Sequence, residues 1–432
     1  MNITAFSFGS TGDVEPFIAL GTELKNRGHR YTIAAFPEFE NEILKSGLIY
    51  RRVNGDVRLL MKILLSDRQQ VSIKSSIEDM RSMLKLHEDM GLSKSLYRAT
   101  ADADLILYMQ FGGLAYHFAE KRRIPCIRTF VYPNDPTRLY APLLPELKRN
   151  TSRCKVGHYT MELLLNLASL TVINQWRARL GLRKWHLFRT YRRLEGEPVT
   201  TLYQYSKQIA PPDPKWGAHI HITGPWSRLH TEAYQPDGEL LRFLAEGEVP
   251  LFIGFGSMLS GKIARIEQAV REAVLRSGQR AILVSSWAKL DGKQKHPNLF
   301  YMDYVPYTWL FPRVKAVVHH GGSGTTHLGL LMGRPTFIIA FGADQMFWGQ
   351  QVARHRLGPE PVCAQEGGMD PVILTKRFLE LQNVEYQVNA EKLAKKLRRE
   401  NGTKTACDLI EQHFCCSGTK ERKNERQQER GY

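Results

Sequence analysis

The sequence predicts an α/β protein with two doubly wound, Rossmann-like domains that face each other across a cleft. The chain has 432 residues, which suits two domains better than one core. Short β-branched and aromatic runs alternate with longer amphipathic stretches, as parallel strands alternate with crossover helices. This alternation restarts after a turn-rich stretch in the middle of the chain, so each half predicts its own sheet.

The first half contains five predicted strands. Between the first two, apolar residues recur at helical spacing from Phe17 to Leu24, Pro16 suits the first helical turn, and Gly28 supplies a left-handed stop. Residues 57–100 are charged and helical in pattern, which predicts an insertion over one face of the sheet. The predicted strands are Ile3–Phe8, Tyr31–Phe36, Leu48–Val53, Leu105–Tyr108 and Ile124–Tyr132.

The second half repeats the pattern, with continuous apolar runs typical of buried parallel strands. Its predicted strands are Leu251–Gly256, Ala281–Ser285, Leu299–Tyr304, Ala316–His319 and Thr336–Phe341. The end of the chain has almost no apolar residue, which predicts disorder. The predicted boundaries are residues 1–210 for the N-terminal domain, 211–237 for a linker, 238–390 for the C-terminal domain, 391–416 for a C-terminal helix, and 417–432 for a disordered basic tail.

Charge and cysteine content limit the class of protein. Lys and Arg outnumber Asp and Glu by 60 to 43, and the net charge of +17 favours anionic partners such as nucleotides, nucleic acid or an acidic membrane surface. Residues 177–193 hold seven Lys or Arg and no acid, which predicts a solvated basic face or a patch facing a membrane or a phosphate. A motif for nucleic-acid recognition is absent from the sequence, so that class is disfavoured.

Targeting signals are absent from the predicted pattern. The six cysteines have neither zinc-site nor disulfide spacing, which indicates a reducing compartment. The segment MNITAFSFGS lacks the basic region of a signal peptide, and the most lipophilic helical stretch, Met161–Ile173, is shorter than the roughly 20 residues that span a bilayer. We therefore expect a cytoplasmic protein, with peripheral contact to an anionic membrane left open.

The strongest functional signal is Val317–Thr326, where an apolar strand runs into glycines and then into a helix. Glycines let the backbone approach a ligand closely, and the free N–H groups of a helix start favour a phosphate. A diphosphate therefore fits, although a Gly-rich turn that binds nothing is the alternative because such motifs recur by chance. His319 and His320 suggest a metal, but neighbouring strand residues point to opposite faces, so at most one faces a given ligand.

The stretch from Tyr304 to Gln345 resembles the donor-binding motif of the inverting nucleotide-sugar glycosyltransferases with two Rossmann domains, the GT-B architecture. Within them it is most similar to the sterol, macrolide and glycopeptide branch, and about forty consecutive residues agree in order and spacing. Phe8–Pro16 is similar to the loop after the first strand in that branch. The resemblance also touches Asn174–Leu182, Gly224–Trp226 and Gly254–Met258, and it is weakest across residues 57–120 and beyond residue 360.

The resemblance implies that residues 1–210 form an acceptor-binding domain and residues 238–390 a nucleotide-sugar-binding domain. It also implies a role for individual residues around the donor. Tyr304 and Val305 would flank the nucleobase, while Asp344 and Gln345 would bond sugar hydroxyls. For Asp344, the alternative is a loop acid that caps the next turn. The other implied donor-binding residues are Ser10, Gly12, Ser257, His319, His320, Gly321, Gly322, Ser323, Gly324 and Thr325.

Asp13 lies where other branches of the superfamily carry a catalytic histidine, and the resemblance makes it the general base. Such a base must reach within about 2.6–3.2 Å of the acceptor hydroxyl, and desolvation can raise its basicity toward the working pH. The alternative is a helix cap. Pro16 at the first helical position would place that cap at Glu15, which disfavours the alternative for Asp13.

Asp102-Ala103-Asp104 spells the Asp-X-Asp metal motif of other glycosyltransferase folds, but it precedes an apolar strand and predicts solvated loop acids. A metal or other cofactor is then not required, because a helix N-terminus and basic side chains can neutralise the leaving diphosphate.

The sequence therefore predicts a hexosyltransferase that uses a UDP- or dTDP-sugar and a small hydrophobic acceptor, either a sterol, a polyketide, a glycopeptide or a lipid, with inversion. A nucleotide-sugar epimerase and a non-catalytic sugar-nucleotide-binding protein are the alternatives on the same fold.

Overall fold

The computed structural model describes residues 1–57, 59, 73–109, 113–142, 151–228, 234–256, 263–284, 296–364 and 369–415. Within these ranges, strands from the two halves of the chain form separate parallel sheets with helices packed against them. The structure thus confirms the predicted α/β class and the division into two doubly wound domains.

The N-terminal sheet, as described, has seven strands in the order β3-β2-β1-β4-β5-β8-β9, and their pairings are parallel. The strand order reverses between β1 and β4, which makes the end of β1 a switch point where α/β sheets bind ligands. The strands of this half are β1 (Asn2–Phe6), β2 (Arg30–Ala35), β3 (Ile49–Arg52), β4 (Leu105–Met109), β5 (Cys126–Phe130), β6 (Arg193–Leu194) and β7 (Glu197–Pro198), which form a separate antiparallel ribbon, β8 (Thr200–Tyr203) and β9 (Ile220–Ile222).

The C-terminal sheet, within the described ranges, has six parallel strands in the order β12-β11-β10-β13-β14-β15. This is the 3-2-1-4-5-6 order of dinucleotide-binding Rossmann domains, with its switch point between β10 and β13. The strands are β10 (Leu251–Gly254), β11 (Ala281–Val284), β12 (Leu299–Met302), β13 (Val317–His319), β14 (Thr336–Ala340) and β15 (Val362–Cys363).

The helices connect these strands and cover both sheets. They are α1 (Thr11–Asn26), α2 (Glu40–Lys45), α3 (Ile73–Asp89), α4 (Leu92–Ala99), α5 (Gly113–Arg122), α6 (Thr151–Arg179), α7 (Gly238–Ala245), α8 (Ile263–Ser277), α9 (Tyr307–Leu310), α10 (Ser323–Leu331), α11 (Ala343–Arg354), α12 (Pro371–Glu380), α13 (Val384–Leu397) and α14 (Gly402–Ile410). Short 3₁₀ turns lie at Pro37–Phe39 and Phe311–Arg313, and a π turn at Glu411–Cys415 follows α14. Among the described residues, no helix combines the length and the apolar character needed to cross a membrane.

The linker predicted at residues 211–237 starts too early. Strand β9 lies inside that range and pairs with β8, so it belongs to the N-terminal sheet. Trp216 in the connecting segment stacks on Tyr203 of β8, with ring centroids 5.1 Å apart. The Pro- and Gly-rich composition therefore marks a tight connection between two strands, and the crossing to the second domain follows β9.

The single C-terminal helix predicted at residues 391–416 is wrong, because two helices, α13 and α14, occupy this region. The side chain of Asn401 accepts a hydrogen bond from Lys404 N at 3.0 Å and so caps a new helix. This second helix packs against α1 of the N-terminal domain, where Arg27 donates to Asp408 at 2.6 Å and Glu411 at 2.8 Å. The tail predicted at residues 417–432 lies outside the described residues.

The chain thus crosses between the domains a second time before α14, and the two crossings touch. Gly224, with φ of +98°, and Pro225 lie in the first crossing. A Cβ added to Gly402, at the second crossing, would lie 2.3 Å from the carbonyl oxygen of Pro225 and 2.5 Å from that of Gly224. Only glycine allows the two backbones to approach this closely.

The two domains share an apolar core where they meet. Buried side chains of the N-terminal domain contact buried side chains of the C-terminal domain, which ties the domains at their base. The principal members are Phe130, Tyr132, Tyr140, Tyr203, Tyr205 and Ile209 from the first domain, and Leu330, Ile338, Ala340, Trp348, Val352 and Leu357 from the second.

The basic stretch at residues 177–193 is not simply a solvated face. Arg177 is fully buried and donates two hydrogen bonds to Glu120, at 2.6 and 2.9 Å, and Arg189 donates a third at 2.9 Å. Both guanidinium groups lie over the ring of Trp185, at 5.4 and 4.7 Å from its centroid. The prediction of a solvated or ligand-facing patch is therefore wrong for Arg177 and Arg189, because both side chains bond Glu120 within the domain.

Candidate active site

The loop after β1 places Asp13 in the first turn of α1. The helix begins at Thr11 with Ser10 as its N-cap, and Pro16 lies inside the helix. Ser10 N donates to Asp13 Oδ2 at 2.7 Å, and Ser10 Oγ lies 3.3 Å from the same oxygen. Asp13 is therefore part of a capping box, and the expectation that Pro16 excludes a capping role is wrong. Among the described residues, both hydrogen bonds end on Oδ2, which leaves Oδ1 for a substrate.

Gly9 fixes the path of the same loop, and the sequence analysis did not assign it a role. A Cβ added to Gly9 would lie 2.1 Å from Asp13 Oδ2 and 2.5 Å from its Cγ. Any other residue here would push the carboxylate out of place. Gly12, by comparison, has room, since a Cβ there would meet Ser10 Oγ at 3.8 Å.

The electrostatic surroundings of Asp13 suit a general base. Burial raises the pKa of its carboxyl group to about 6, against the opposing effect of the two Ser10 hydrogen bonds. The charge of Asp344, in the first turn of α11, raises the pKa further. The carboxylates of Asp13 and Asp344, one from each domain, are therefore close enough to interact electrostatically.

The loop after β13 brings the starts of two helices together. Gly321 has a φ of +98°, in the left-handed region that favours glycine. A Cβ added there would lie 2.7 Å from Ile338 Cγ2 and 2.9 Å from the carbonyl oxygen of Gln345. Gly321 thus lies between β14 and the first turn of α11, while α10 begins directly after the N-cap Gly322.

His319 and His320 are both neutral and lie in different surroundings. Burial lowers the pKa of His319 well below its ordinary value and that of His320 to about 4. His319 Nδ1 accepts a hydrogen bond from Gly321 N at 3.0 Å, so the proton is on Nε2. The His320 ring lies beside Gly256, where an added Cβ would be 3.3 Å from Cε1. The two rings are nearly perpendicular, with an interplanar angle of 86°.

Two buried histidine nitrogens of this loop are available to a ligand. Within the described residues, His319 Nε2 and His320 Nδ1 have no hydrogen-bond partner. An unsatisfied buried polar group costs about 1–3 kcal/mol, so native structures rarely keep one without a reason. A phosphate oxygen would accept the proton of His319 Nε2, which fits the predicted diphosphate at this loop.

The predicted nucleobase contacts divide into one exposed and one buried side chain. Tyr304 is 73% exposed, so its ring is free to stack on a base. The side chain of Val305 is 1% exposed and packs in the core with Leu310 and Phe311. Only the main chain of Val305 can therefore approach the base.

The predicted sugar-binding pair also organises the start of α11. Gln345 Oε1 accepts from Phe341 N at 2.7 Å and from Gly342 N at 3.1 Å, so it shapes the loop before the helix. Burial raises the pKa of Asp344, opposed by bonds from its own N–H and that of Gln345. Asp344 is the second residue of α11 and not its N-cap, and its contact with sugar hydroxyls stays a prediction.

The remaining predicted donor-binding residues lie at the start of α10. Ser323 is the first residue of this helix, is 7% exposed, and places its hydroxyl 3.3 Å from His327 Nδ1. Gly324 has open space around its Cα, since a Cβ there would meet nothing within 4 Å, and Thr325 is half-buried. Ser257 lies outside the described residues.

The two acids of the Asp-X-Asp motif hold strand ends in place. Asp102 accepts two hydrogen bonds from Arg51, at 2.5 and 2.8 Å, and the guanidinium lowers the pKa of Asp102. Asp104 Oδ2 accepts from Asn2 N at 2.8 Å, which ties the start of β4 to β1. Both acids lie in the loop before β4 and are partly exposed, as predicted, and each also holds a neighbouring strand through these hydrogen bonds. In the described part of the chain, no group of three metal-ligating side chains comes together.

Two Rossmann-like domains in one chain are the arrangement of the GT-B glycosyltransferases, and solved structures of that class share this fold. Residues 3–141 match the glycosyltransferase family 28 N-terminal domain. Residues 282–410 match the erythromycin biosynthesis protein CIII-like C-terminal domain. One match lies in each half of the chain, so both halves are similar to domains of glycosyltransferases.

Sterol 3-beta-glucosyltransferases are among the relatives that are similar to this chain. A sterol 3-beta-glucosyltransferase of Arabidopsis thaliana is 29% identical over 96% of this chain and 66% of its own length. A sterol 3-beta-glucosyltransferase of Pichia angusta is 31% identical over 94% of this chain and 33% of its own length. The chain thus spans about two thirds of the plant relative and one third of the yeast relative.

Solved structures share the fold at low identity. The calicheamicin glycosyltransferase CalG4 has a TM-score of 0.68 and 14% identity, covering 95% of this chain and 97% of its own. The glycosyltransferase of kitacinnamycin has a TM-score of 0.66 and 18% identity, covering 95% of this chain and 98% of its own. A Streptomyces glycosyltransferase complexed with thymidine diphosphate has a TM-score of 0.60 and 18% identity, covering 95% and 99%.

Proposed function

We propose that the protein transfers a hexose from a UDP- or dTDP-sugar to a hydroxyl group of a hydrophobic acceptor, with inversion at the anomeric carbon. A sterol is the first candidate acceptor and glucose the first candidate sugar, since relatives similar over 94–96% of this chain are sterol 3-beta-glucosyltransferases. Polyketides, glycopeptides and other lipids follow, because structural neighbours glycosylate secondary metabolites such as calicheamicin.

The observation that carries the proposal is the position of Asp13. Its carboxylate lies at the start of α1, within electrostatic reach of Asp344 at the start of α11, and burial raises its pKa to about 6. A base with such a pKa is ionised at neutral pH and still basic enough to take a proton in the transition state. Asp13 Oδ1 would accept the proton of the acceptor hydroxyl while its oxygen attacks the anomeric carbon.

The leaving diphosphate would be held by the loop after β13. The first N–H groups of α10 have no partner within the helix, and the helix dipole favours negative charge there. His319 Nε2 adds a neutral N–H donor. These groups stabilise charge that develops on the leaving group, and in this proposal they do so without a metal ion or other cofactor. Attack and departure occur on opposite sides of the anomeric carbon, which produces inversion.

A donor and acceptor panel tests the proposal. The protein is incubated with UDP-glucose, dTDP-glucose and other nucleotide sugars, each with a sterol, a macrolide aglycone, a glycopeptide and no acceptor, and products are identified by mass. The anomeric configuration of the product is read by NMR. Transfer to none of the acceptors would contradict the proposal. Conversion of the donor alone would favour the epimerase, and donor binding without any conversion would favour the binding protein.

Peripheral contact of this cytoplasmic enzyme with an anionic membrane is part of the same proposal. Its support is the net charge of +17 and the exposed apolar side chains on α6, which include Val156 and Tyr159. Co-sedimentation with vesicles of phosphatidylcholine, with and without phosphatidylserine, tests it. Equal recovery of the protein in the supernatant with both vesicles would contradict it.

A further inference from the structure

His327 connects the donor-binding helix to the other domain. It lies on α10, one helical turn after Ser323, and is 3% exposed. Its Nδ1 is 2.7 Å from the carbonyl oxygen of Ser323, and its Nε2 is 3.1 Å from the backbone nitrogen of Ser206. Ser206 follows β8 in the N-terminal domain, so one imidazole contacts both domains.

The geometry determines where the proton of this histidine lies. A backbone N–H can only donate, so Nε2 must accept the hydrogen bond from Ser206. The proton is therefore on Nδ1, which donates to the carbonyl oxygen of Ser323. Both ring nitrogens are used, each in the only role open to it, and a charged imidazolium would lose the bond to Ser206.

The partner of His327 in the N-terminal domain is itself held in place. Ser206 is fully buried, and its hydroxyl donates to Glu400 Oε1 at 2.9 Å and accepts from Gln208 N at 3.0 Å. Glu400 lies in the second crossing between the domains, just before α14. The residue that His327 contacts in the N-terminal domain is therefore itself bonded to the segment that crosses between the domains.

Trp348 of α11 also packs against His327. Its fully buried ring lies 4.8 Å from that of His327 at an interplanar angle of 77°, and 5.6 Å from that of Tyr205. These edge-to-face contacts fix the orientation of the imidazole. The starts of α10 and α11, which carry the predicted diphosphate and sugar contacts, are thus both tied to the segment around Ser206.

We infer that His327 is a positioning residue: it holds the start of α10, where the diphosphate would bind, at a set distance from the domain that carries Asp13. The inference rests on the proposed transfer reaction. A shift of about 1 Å between reacting groups can lower a rate about 100-fold, so a bond that sets this distance affects turnover without touching substrate.

Two substitutions separate the two bonds of the imidazole. In His327→Asn, the amide reaches the place of Nδ1 and keeps the bond to Ser323, but it cannot reach Ser206. In His327→Gln, the carbonyl oxygen reaches the place of Nε2 and keeps the bond from Ser206. We expect His327→Asn to lower kcat at least about tenfold with little change in UDP affinity, and His327→Gln to keep kcat within about threefold.

Three measurements give the result: kcat and KM for transfer, the dissociation constant of UDP by calorimetry, and hydrogen exchange of the Ser206 amide. Exchange at Ser206 should rise in His327→Asn and stay near wild type in His327→Gln. Ser206→Ala keeps the amide but loses the bond to Glu400, and it should lower kcat in the same direction by a smaller factor. Melting temperatures show that each variant is folded.

The outcomes separate this inference from the proposed function. Equal kcat in both His327 variants, or a greater loss in His327→Gln than in His327→Asn, would overturn the positioning role while wild-type transfer still supports the function. A change in KM or UDP affinity alone would also overturn it. A wild-type protein that binds UDP but transfers no sugar would remove the proposed function, and with it the reaction that His327 positions.

Discussion

The loops after β1 and after β13 both lie beside the switch point of their sheet and both lead into a helix, but the N-termini of these two helices differ. At α1 the chain supplies its own anion, because Asp13 accepts the N–H of the N-cap Ser10 at 2.7 Å. At α10 the N-cap is Gly322, which has no side chain to cap the helix. The start of the first helix is therefore capped by the candidate base, and the start of the second has no side-chain cap.

The largest expected effect comes from removing the internal anion. Asp13→Asn keeps an oxygen that can accept from Ser10 N, so α1 should stay capped, but the amide cannot take a proton. We expect transfer to fall about 10³-fold, within the 10²–10⁴-fold typical of general bases, while UDP affinity measured by calorimetry changes little. Turnover near the wild-type value would rule out Asp13 as the base.

Moving the Asp13 carboxylate without changing its chemistry should have the next largest effect on kcat. A methyl group at Gly9 would overlap Asp13 Oδ2, since the added Cβ lies 2.1 Å from it. Gly9→Ala should lower kcat about 10–100-fold and leave UDP affinity near wild type, because only the position of the base changes. Gly12→Ala is the matched control and should stay within about twofold, as its Cβ meets only Ser10 Oγ at 3.8 Å. Equal loss in both variants would contradict this account.

A carboxylate introduced into the loop after β13 should occupy the N-terminus of α10, as Asp13 occupies that of α1. Gly322→Asp places a carboxylate at the open start of α10, where it would compete with the diphosphate for the same N–H groups. Gly322→Asn is the control, because it has the same size, meets the same crowding by His320 Nε2, 2.7 Å from an added Cβ, and has no charge. We expect UDP to bind about tenfold more weakly to the Asp variant than to the Asn variant. Equal affinities would show that this helix start does not hold the diphosphate.

The smallest effect concerns pH. Burial raises the pKa of Asp13 to about 6, and a base must be ionised, so kcat/KM should rise with pH and level off above this value. At pH 5, about one tenth of the plateau activity should remain if this single group controls the limb. A rate profile from pH 4.5 to 8 checks this, and a flat profile would contradict it.

The raised pKa of Asp13 also makes stability depend on pH, in the opposite direction to activity: activity rises with pH and stability falls. Because the folded state holds the pKa of Asp13 above its ordinary value of 3.8, this group's contribution to stability is fully present below that value and is lost as the pH rises through about 6. Asp13→Asn removes this dependence. The melting temperature of the variant, relative to that of the wild type, should therefore rise between pH 4 and 7.

The sequence predicts best what depends on local pattern. The ten proposed strands are all present, because buried parallel strands require continuous apolar runs, as in Val317–His319. The loop that follows β13 was also predictable, since Gly321 must adopt a positive φ and the helix must begin directly after it. The exposed ring of Tyr304 agrees with its predicted place, although its contact with a base stays a prediction.

Contacts between distant parts of the chain were not predictable. Ser206 and His327 are 121 positions apart, and neither lies in a pattern that indicates a partner. The burial of Arg177 depends on Glu120, which lies 57 positions before it. The start of α1 was misjudged for a different reason: the preference of proline for the first helical position competed with the capping box of Ser10 and Asp13, and the capping box won.

The contact between Gly402 and the Gly224–Pro225 peptide has a mechanical consequence. Two separate connections join the domains, and they meet at one point rather than at opposite ends of the interface. A domain attached through two adjoining connections can rotate about that point, but it cannot slide or twist freely relative to the other domain. We therefore expect any movement between the domains to be a rotation about this contact, which would return α10 to the same place opposite Asp13 after each cycle.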